Sequence, residues 1–271
     1  MNKITMLYKY IFARKLFYPL HRLMFALSTR GLGVLNYENP TLSGENFLLR
    51  KIAAQHWTDF TCIDVGANIG SYSYSVKKII NTATVYAVEP HPKTFLKLKK
   101  NAHNFGYFAF NIALSNNNSL VNIFDTFLDE SGDDYSTHAS LYKEVFMEKK
   151  YDRQVHVYQV QSMTLDEFLV DNNINEVNLL KIDVEGHEYN VLLGAHEALR
   201  SKKIGIIQFE FNSMNRFSRV YMKDFADLLS DYRLYRLMQD FLAPIQVDNA
   251  LSSELFAYQN IVAIRQDICL I

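Results

Sequence analysis

Apolar positions along most of the chain follow two alternating periods. Seven short apolar runs have the length and composition of buried strands, and they lie at 60–65, 84–88, 107–112, 178–184, 204–211, 232–237 and 256–264. Between most of them, apolar residues recur every three or four positions, as on one face of a helix, at 45–57, 71–81, 92–104, 187–200 and 221–229. Strands that alternate with helices predict an α/β fold with a doubly wound, seven-stranded sheet.

The middle of the chain departs from this alternation. Residues 120–124 and 155–160 resemble two further strands, and an acidic stretch at 125–135 and a mixed-charge turn at 149–153 lie between them. This pattern predicts an inserted β-hairpin region, a place where substrate pockets are often built. The acidic stretch is either a solvated loop or a binding loop. Regular structure returns at 164–167, where Thr164 and Glu167 fit a capping box for a short helix.

The first 35 residues have a different pattern. Apolar residues recur at helical spacing, and Pro19 predicts a break into two helices. The basic residues are Lys3, Lys9, Arg14, Lys15, Arg22 and Arg30, and no acidic residue precedes Glu38. The apolar run at 23–27 is too short to span a bilayer. Charges interrupt the apolar stretch and no small-residue cleavage site follows, which argues against a secretory signal.

Two interpretations of this segment remain open. It is either a helical cover packed on the rest of the protein, or a basic amphipathic segment that contacts anionic lipid or a membrane-bound partner such as a glycosyltransferase. In both cases we expect residues 1–44 to form a helical extension and residues 45–271 to form a single catalytic domain.

Composition narrows the function classes. The chain has 271 residues, 49% of them hydrophobic, which supports a large core, and its formal net charge of −1 gives no nucleic-acid footprint. Its two cysteines, Cys62 and Cys269, cannot form a disulfide framework, which favours a reducing, cytoplasmic compartment.

A glycine-rich turn follows the first strand, with Gly66 and Gly70 four positions apart and a helix beginning at Ser71. Such a turn lets a flat ligand lie against bare backbone at a helix N-terminus. Asp64 stands at the start of the turn, and its carboxylate would repel a pyrophosphate, so a cationic ligand suits the turn better. Glu89 ends the second strand 19 residues after Gly70 (89 − 70), at the spacing of acids that bind ribose hydroxyls.

A nucleoside that carries a positive charge is S-adenosylmethionine. The spacing is GxxxG rather than the GxGxxG of dinucleotide sites, so a dehydrogenase is a weaker interpretation. An ordinary tight turn in an α/β protein remains the alternative to a nucleoside site.

A second group of polar residues follows the later strands. Asp183 lies at the end of the strand at 178–184, Glu185 and His187 follow that strand directly, and Glu210 lies at the end of the strand at 204–211. Ligands bind beyond the carboxyl ends of strands in such sheets, and we expect Asp183 to lie beside the nucleoside site. Glu188 has an ordinary explanation as a negative charge at a helix N-terminus. The carboxylates and the histidine also suit a divalent cation, but we assign no metal ligand.

Five motifs in this order resemble the FkbM family of S-adenosylmethionine-dependent methyltransferases over roughly residues 45–265. They are 63–70 (IDVGANIG), 88–92 (VEPHP), 111–115 (NIALS), 165–166 (LD) and 180–188 (LKIDVEGHE). The resemblance implies a Rossmann-like class I methyltransferase sheet, with the last two strands at one edge and one of them antiparallel. Most members are O-methyltransferases of sugar or natural-product hydroxyls.

The resemblance also implies roles for single residues. The cofactor-binding set is Asp64, Gly66, Ala67, Asn68, Gly70, Ser71, Glu89, Pro90, Ile112, Ala113 and Asp183. Ile112 and Ala113 would flank the adenine, although the run at 111–114 lacks the acid that many methyltransferases use there. The catalytic set is Asp183, Glu185, His187 and Glu210, with Glu185 or His187 favoured as the base and Asp183 holding cofactor or acceptor.

The expected activity is therefore methyl transfer to a hydroxyl of a sugar or glycan during synthesis of a bacterial surface polysaccharide. The expected location is the cytoplasm, either free or peripheral to the inner membrane. An NAD-dependent sugar dehydrogenase and a non-catalytic scaffold of a glycan-assembly complex are the alternatives. No nucleic-acid partner is expected, and the oligomeric state cannot be read from the sequence.

Overall fold

The computed structural model describes residues 3–55, 57–126, 140–141 and 155–270. The helices are α1 (Lys3–Phe12), a 3-10 turn (Lys15–Phe17), α2 (Tyr18–Gly31), α3 (Glu45–Ala53), α4 (Ser71–Ile79), α5 (Pro92–Phe105), α6 (Leu165–Asp171), α7 (Glu188–Leu193), α8 (His196–Arg200), α9 (Asn215–Ser218), α10 (Met222–Leu228) and α11 (Ala250–Ser253). The strands are β1 (Thr61–Val65), β2 (Thr84–Val88), β3 (Phe108–Phe110), β4 (Ala113–Ser115), β5 (Leu120–Thr126), β6 (Val155–Thr164), β7 (Val177–Ile182), β8 (Ile204–Phe211), β9 (Tyr232–Leu237), β10 (Leu242–Pro244) and β11 (Gln259–Arg265).

The main sheet has the strand order β10-β9-β11-β8-β7-β1-β2-β3. Strands β3, β2, β1, β7 and β8 run parallel, and β11 pairs antiparallel with both β8 and β9. The seven predicted strands are all present, and the order places β7 directly beside β1, as expected. The sheet gains an eighth strand, β10, which is only three residues long and ends at Pro244 at the sheet edge.

Helices cover both faces of the sheet, which buries its central strands completely. Every residue of β7 and of β8 is buried. One apolar cluster includes Phe168 of α6 and Phe225 of α10, and the other includes Leu48 of α3 and Leu98 of α5. Burial on both faces explains the continuous apolar runs of these strands, because parallel sheets lie between two helical layers.

The middle of the chain forms a second, three-stranded sheet with the order β4-β6-β5. β5 and β6 pair antiparallel from Leu120↔Gln161 to Thr126↔Val155, so the inserted hairpin is present. β4 pairs parallel with β6 and connects this sheet to the end of β3. The acidic stretch beyond residue 126 and the turn at 149–153 lie outside the described residues.

The helix predicted at 187–200 is in fact two short helices, α7 and α8, separated at Gly194 and Ala195. Gly194 lies against the backbone of Ser115 in β4, where an added Cβ would overlap the Ser115 carbonyl oxygen. The close approach of β4 therefore explains why a glycine stands at the break. Thr164 caps α6 as predicted, since its hydroxyl accepts a hydrogen bond from the Glu167 N–H at 3.2 Å.

The N-terminal helical pair, by which we mean α1, the 3-10 turn and α2, differs from the predicted cover. Neither α1 nor α2 has a buried residue. The helices contact each other instead: the Tyr8 and His21 ring centroids lie 5.8 Å apart, and His21 Nε2 lies 3.1 Å from the Phe12 carbonyl oxygen. Pro19 lies in the first turn of α2, as a helix start allows. No described helix is long and apolar enough to cross a membrane.

Residues 32–46 connect this pair to the main sheet. The Leu32 carbonyl oxygen accepts a hydrogen bond from Arg236 Nη1 of β9, and the Leu35 N–H donates to the Tyr258 carbonyl oxygen at 2.8 Å. Val34 is buried, and so is Ser43 just before α3. The connection is therefore a fixed part of the sheet edge.

Candidate active site

The glycine-rich turn joins β1 to α4 at the carboxyl edge of the sheet. Gly66, Asn68 and Gly70 all adopt positive φ angles (79°, 51° and 89°). At Gly66 an added Cβ would overlap the Asp183 carbonyl oxygen, so only glycine allows the turn to meet the end of β7 this closely. The Gly66 and Ala67 N–H groups donate to the Val88 carbonyl oxygen, which ties the turn to β2 as well.

Glu89 lies at the end of β2 and braces this turn. Its carboxylate accepts hydrogen bonds from the Asn68 N–H at 2.9 Å and the His91 N–H at 2.8 Å. Burial raises the pKa of Glu89 to about 7, although these two N–H groups act in the opposite direction. A carboxyl held by backbone at this place presents its remaining lone pairs to the adjacent cavity.

That cavity, the first cavity, has a volume of about 150 Å³. Its walls are mainly apolar, with Val65, Val88, Leu114 and Ile123, and Glu89, Asp183, Glu185 and His187 supply the acids and a histidine. An apolar slot beside a carboxyl suits a flat base joined to a hydroxylated sugar.

The second cavity also borders the turn and has a volume of about 370 Å³. Glu45, Asp64, Lys181 and Asp183 line it together with Tyr72 of α4. Asp64 accepts a hydrogen bond from the Ser73 hydroxyl at 2.6 Å, and burial raises its pKa to about 6. Among the described residues that line the two cavities, Lys181 is the only lysine or arginine.

Asp183 lies where the two cavities meet, since it lines both of them. Its Oδ2 is 3.1 Å from Lys181 Nζ, and its side chain is 39% exposed whereas that of Lys181 is 3% exposed. Burial alone would lower the pKa of Lys181, but the carboxylates of Asp183, Glu210 and Glu45 outweigh burial and raise it. The lysine is therefore a permanent cation fixed behind Asp183.

A network of polar side chains surrounds Lys181 at the base of the second cavity. Lys181 Nζ lies 5.7 Å from the centre of the Tyr72 ring, and the Tyr72 hydroxyl donates to Gln208 Oε1 at 2.9 Å. Gln208 Nε2 donates in turn to Glu45 Oε1 at 3.2 Å. This network joins α3, α4, β7 and β8 beneath the second cavity.

His187 has a structural environment that limits its chemistry. Its Nδ1 is 3.2 Å from Asn190 Nδ2, an amide nitrogen that can only donate, so Nδ1 accepts and Nε2 carries the proton in the neutral ring. Nε2 then donates to the Ser115 hydroxyl at 2.9 Å. Burial lowers the pKa of His187 to about 4, which keeps the ring neutral near pH 7. Both nitrogens are engaged by the protein.

Glu188 and Glu185 shape the turn after β7. Glu188 is 1% exposed, and its Oε1 accepts from the Val184 and Gly186 N–H groups at 3.1 Å each. Burial raises the pKa of Glu188 to about 7. Glu185 adopts a positive φ of 51° and lines the first cavity. Glu188 therefore holds the turn that carries Asp183 and Glu185.

Glu210 is 8% exposed and accepts a hydrogen bond from Asn212 Nδ2 at 3.2 Å. Burial, followed by the charge of Asp183, raises its pKa well above the ordinary value. Glu210 does not line either of the two cavities, and its predicted catalytic role remains a prediction.

Most of the predicted cofactor-binding residues come together here. Those that line one or both cavities are Asp64, Gly66, Ala67, Asn68, Ser71, Glu89, Pro90, Ala113 and Asp183. Gly70 and Ile112 line neither: Gly70 packs against the Tyr107 hydroxyl, and Ile112 packs against the main apolar cluster. The predicted roles of all these residues remain predictions.

Sequence reasoning missed Lys181, Tyr72 and Glu45 on the second cavity. Lys181 could have been found, because it is a charge inside an apolar strand and stands two positions before Asp183, on the same face. Tyr72 and Glu45 gave no such signal, because many exposed helix residues look the same. Among the described residues, no three His, Cys, Asp or Glu side chains are arranged to hold a metal ion.

The two cavities together fit a nucleoside that bears a positive charge. Gly66 and Asn68 line both cavities along with Asp183, so a ligand can extend from one cavity to the other across bare glycine backbone. The acids of the second cavity favour a cation, whereas the only lysine is already paired with Asp183 and does not suit a pyrophosphate.

Comparison with known proteins agrees with this geometry. The family model of the methyltransferase FkbM domain matches residues 64–237, more than half of the chain. The hexuronic acid methyltransferase AglP of Haloferax volcanii is 27% identical over 71% of this chain and 71% of its own length. The 2-O-methyltransferase NoeI of Sinorhizobium fredii is 22% identical over 65% of this chain and 73% of its own.

One solved structure in the same comparison is the plantazolicin methyltransferase BpumL in complex with S-adenosylhomocysteine, at 11% identity and a TM-score of 0.45, covering 85% of this chain and 86% of that one. The sheet topology and the family match confirm the predicted Rossmann-like fold, and the family match confirms the predicted cofactor. The chain belongs to the FkbM methyltransferase family and is an S-adenosylmethionine-dependent methyltransferase.

Proposed function

We propose that the protein transfers a methyl group from S-adenosylmethionine to a hydroxyl group of a sugar. Asp183 carries this proposal, because its carboxylate lies where the two cavities meet and is held by a buried lysine. The names of two relatives support a sugar hydroxyl as the acceptor, since one describes a hexuronic acid methyltransferase and the other a 2-O-methyltransferase.

In this proposal, one part of the cofactor lies in the first cavity and the other part lies in the second. The cofactor supplies an electrophilic methyl group on a positively charged sulfur. Glu89 would hold the ribose hydroxyls, and the apolar walls formed by Leu114 and Ala113 would hold the adenine. Asp64 and Asp183 would face the cationic part of the molecule in the second cavity.

The chemical task of the protein is to orient the acceptor and remove its proton. We assign proton removal to Asp183, with Lys181 Nζ as the positioning group that fixes the direction of the carboxylate. His187 is less suited because both of its ring nitrogens already contact Ser115 and Asn190. Glu210 lines neither cavity, and Glu185 lines only the first.

Titration calorimetry tests the choice of cofactor. We expect S-adenosylmethionine to bind and NAD not to bind, because the turn lacks the dinucleotide spacing and is flanked by acids. Binding of NAD alone would favour a sugar dehydrogenase, and binding of neither compound would favour a non-catalytic scaffold.

Mass spectrometry of oligosaccharides incubated with S-adenosylmethionine tests the reaction. Uronic-acid and neutral-hexose oligosaccharides serve as probes, and a methyl-group mass increase is the expected product. Asp183→Asn should lower kcat, measured at saturating cofactor, by at least about 100-fold, the usual contribution of general base catalysis. It should also weaken cofactor binding, because Asp183 lines the cavity assigned to the cationic part of the cofactor. His187→Gln is the comparison variant, and a larger loss of kcat in it than in Asp183→Asn would overturn the assignment of the base.

We propose further that the acceptor belongs to a bacterial surface polysaccharide and that the reaction takes place in the cytoplasm beside the inner membrane. The acid-free, basic first 35 residues support this location, since such segments are attracted to anionic surfaces. Loss of one methyl ether from the surface glycan after deletion of the gene is the expected result. An unchanged glycan would contradict this finer proposal but not the methyl transfer itself.

A further inference from the structure

Exposed apolar side chains are concentrated on the N-terminal helical pair. More than half of the large hydrophobic residues that are exposed in the described structure lie within the first 32 residues. Neither helix has a buried residue, so this surface is not covered by the catalytic domain. Apolar surface of this extent on one element marks an interaction site.

The apolar residues of α2 form a regular stripe. Leu20, Leu23, Met24 and Leu27 follow the i, i+3, i+4, i+7 spacing of one helix face. Their exposed fractions are 51%, 56%, 49% and 61%, although this is the spacing that a globular protein normally buries. His21, on another side of α2, contacts α1 through the Tyr8 ring at a centroid distance of 5.8 Å. The exposure of its four residues shows that the stripe lies outside the contact between the two helices.

The charged side chains of this N-terminal segment are all basic. Six basic residues and no acid occur before Glu38, although the whole chain is nearly neutral at −1. Lys15 lies in the 3-10 turn just before α2, Arg22 lies in the second turn of α2, and both are exposed. Long basic side chains can lay their methylene groups along an apolar surface while the charge remains in water. The tyrosines at 8, 10 and 18 add rings that favour the boundary between water and lipid.

We propose that the N-terminal helical pair binds the surface of a bilayer that contains anionic lipid, with the Leu20–Leu27 stripe inserted among the lipid tails. Charge complementarity selects this partner, because an acid-free basic surface around an apolar stripe matches anionic headgroups over acyl chains. The helices have 10 and 14 residues, too few to span a bilayer, so they lie in its surface.

The same arrangement places the active site close to the lipid. Residues 32–46 run from the end of α2 to the second cavity, which Pro40, Glu45 and Asn46 line. The Leu32 and Leu35 hydrogen bonds to the sheet edge hold this connection in place. The lipid contact thus brings the second cavity to acceptors presented at a membrane, an extension that rests on the proposed sugar methylation.

Vesicle flotation with the full-length protein tests the lipid contact. We expect the protein to float with vesicles of phosphatidylcholine and phosphatidylglycerol, to bind far less to phosphatidylcholine alone, and to be released by high salt, which screens the charges. Failure to float with the anionic vesicles would overturn the proposal. Equal binding to both kinds of vesicle would also overturn it, because the charges would then play no part.

Two double variants locate the contact. Lys15→Gln with Arg22→Gln should weaken binding to the anionic vesicles by about 30-fold, because each basic residue near the surface contributes about one fivefold factor. The control removes the same charge from α5, where Lys99→Gln with Lys100→Gln should leave binding unchanged. Leu23→Gln with Leu27→Gln should weaken binding at least about tenfold through lost apolar insertion. Its control is Leu96→Gln with Leu251→Gln, two leucines exposed elsewhere.

Equal losses in the test and control variants would contradict the assigned surface. A second copy of this chain is the rival occupant, and light scattering without lipid distinguishes it. If the protein forms a dimer and the double variant Leu23→Gln with Leu27→Gln is a monomer, the stripe is a dimer interface and the lipid proposal is wrong. Cofactor binding by the same variants separates the two proposals, since they should bind S-adenosylmethionine as the unaltered protein does even when they no longer float. Loss of flotation therefore tests the lipid contact, and loss of cofactor binding tests the proposed function.

Discussion

Lys181 and Asp183 stand two positions apart at the end of β7, so their side chains leave the strand on the same face. The lysine is 2% exposed and yet charged, which a protein interior tolerates only beside opposite charge. Asp183 at 3.1 Å, with Glu210 and Glu45 nearby, supplies that charge. The orientation of the carboxylate assigned to proton removal is thus fixed by residues of the sheet interior.

Glu188 has a structural role that favours the protonated form of its carboxyl group. It is buried behind the turn after β7, and burial raises its pKa to about 7. A group whose pKa is higher in the folded state binds more protons when folded, so stability is lost as the pH rises from the unfolded pKa to the folded one.

Glu188→Gln should remove this pH dependence. Between about pH 5 and pH 7, the unaltered protein should lose about 2 kcal/mol of unfolding free energy through Glu188 that the variant keeps. Denaturant titrations of both proteins at several pH values measure the difference. His187, whose lowered pKa makes stability rise over part of this range, is present in both and cancels. Parallel stability curves for the two proteins would show that Glu188 does not titrate in this way.

The positions of residues at strand ends were predictable because the strands form clear apolar runs in the sequence. Asp64, Glu89 and Asp183 follow apolar runs, and the rule that ligands bind at the carboxyl edge placed them together. The contact between His187 and Ser115 was not predictable, since 72 residues separate them and neither lies in an unusual local pattern. The choice of Glu185 or His187 as the base came from residue type and from position after the strand at 178–184, and neither reveals the hydrogen-bond partners of His187.

At the scale of elements, the contact between β4 and the α7–α8 junction deserves a test. Gly194 has an ordinary helical φ of −74°, so a side chain there strains nothing in the backbone. Within the described part of the chain, an added Cβ would overlap the Ser115 carbonyl oxygen of β4 and would lie close to the Ser115 carbonyl carbon and the Asn116 Cα. The junction therefore separates the effect of space from the effect of conformation.

Gly194→Ala should lower the free energy of unfolding by about 1–3 kcal/mol, the usual cost of overpacking. It should also weaken cofactor binding, because β4 carries the Ser115 hydroxyl that holds His187. Thermal unfolding and titration calorimetry provide the two readouts. Gly31→Ala is the matched control, since nothing lies within 4 Å of an added Cβ there. Equal effects of the two substitutions would contradict the role assigned to the contact.

Element boundaries followed from the sequence where apolar runs are long and regular. β8 and β9 begin and end as predicted, because turns flank both strands. The helix at 187–200 was predicted as one because its apolar spacing continues across Gly194, and only the tertiary approach of β4 reveals the break. β10 was missed since three residues ending in proline carry no strand period.

At the scale of the whole molecule, the chain has a catalytic domain with a buried core and a helical pair that adds nothing to it. Apolar burial dominates folding stability, so a pair without buried residues should be dispensable for folding. The connection at 32–46 is different, because Val34 and Ser43 are buried against the domain.

Deletion of residues 1–31 should therefore change the free energy of unfolding by less than about 1 kcal/mol, in proportion to the small area lost. Deletion of residues 1–44 should destabilise the protein by more, because it also removes Val34 and the hydrogen bonds of Leu32 and Leu35. Chemical denaturation of the three proteins makes the comparison. A large loss on the shorter deletion would mean that the helical pair supports the domain.

The α/β architecture was predictable because one regular alternation covers most of the chain. The division at residue 44 remains a prediction. The apolar face of the first 35 residues was compatible with a packed cover or with a free surface, and helical periodicity is the same in both cases. Only the exposure of the Leu20–Leu27 stripe distinguishes them.

The tie between Leu32 and Arg236 has a geometric consequence. If the helical pair rests on a bilayer, this tie sets a constant height of the catalytic cleft above the headgroups. The active site would then reach sugars at one distance from their lipid anchor and would not methylate those farther out. Extra residues inserted between Gly31 and Val34 would increase the height of the cleft above the headgroups and move the methylated position outward along the glycan.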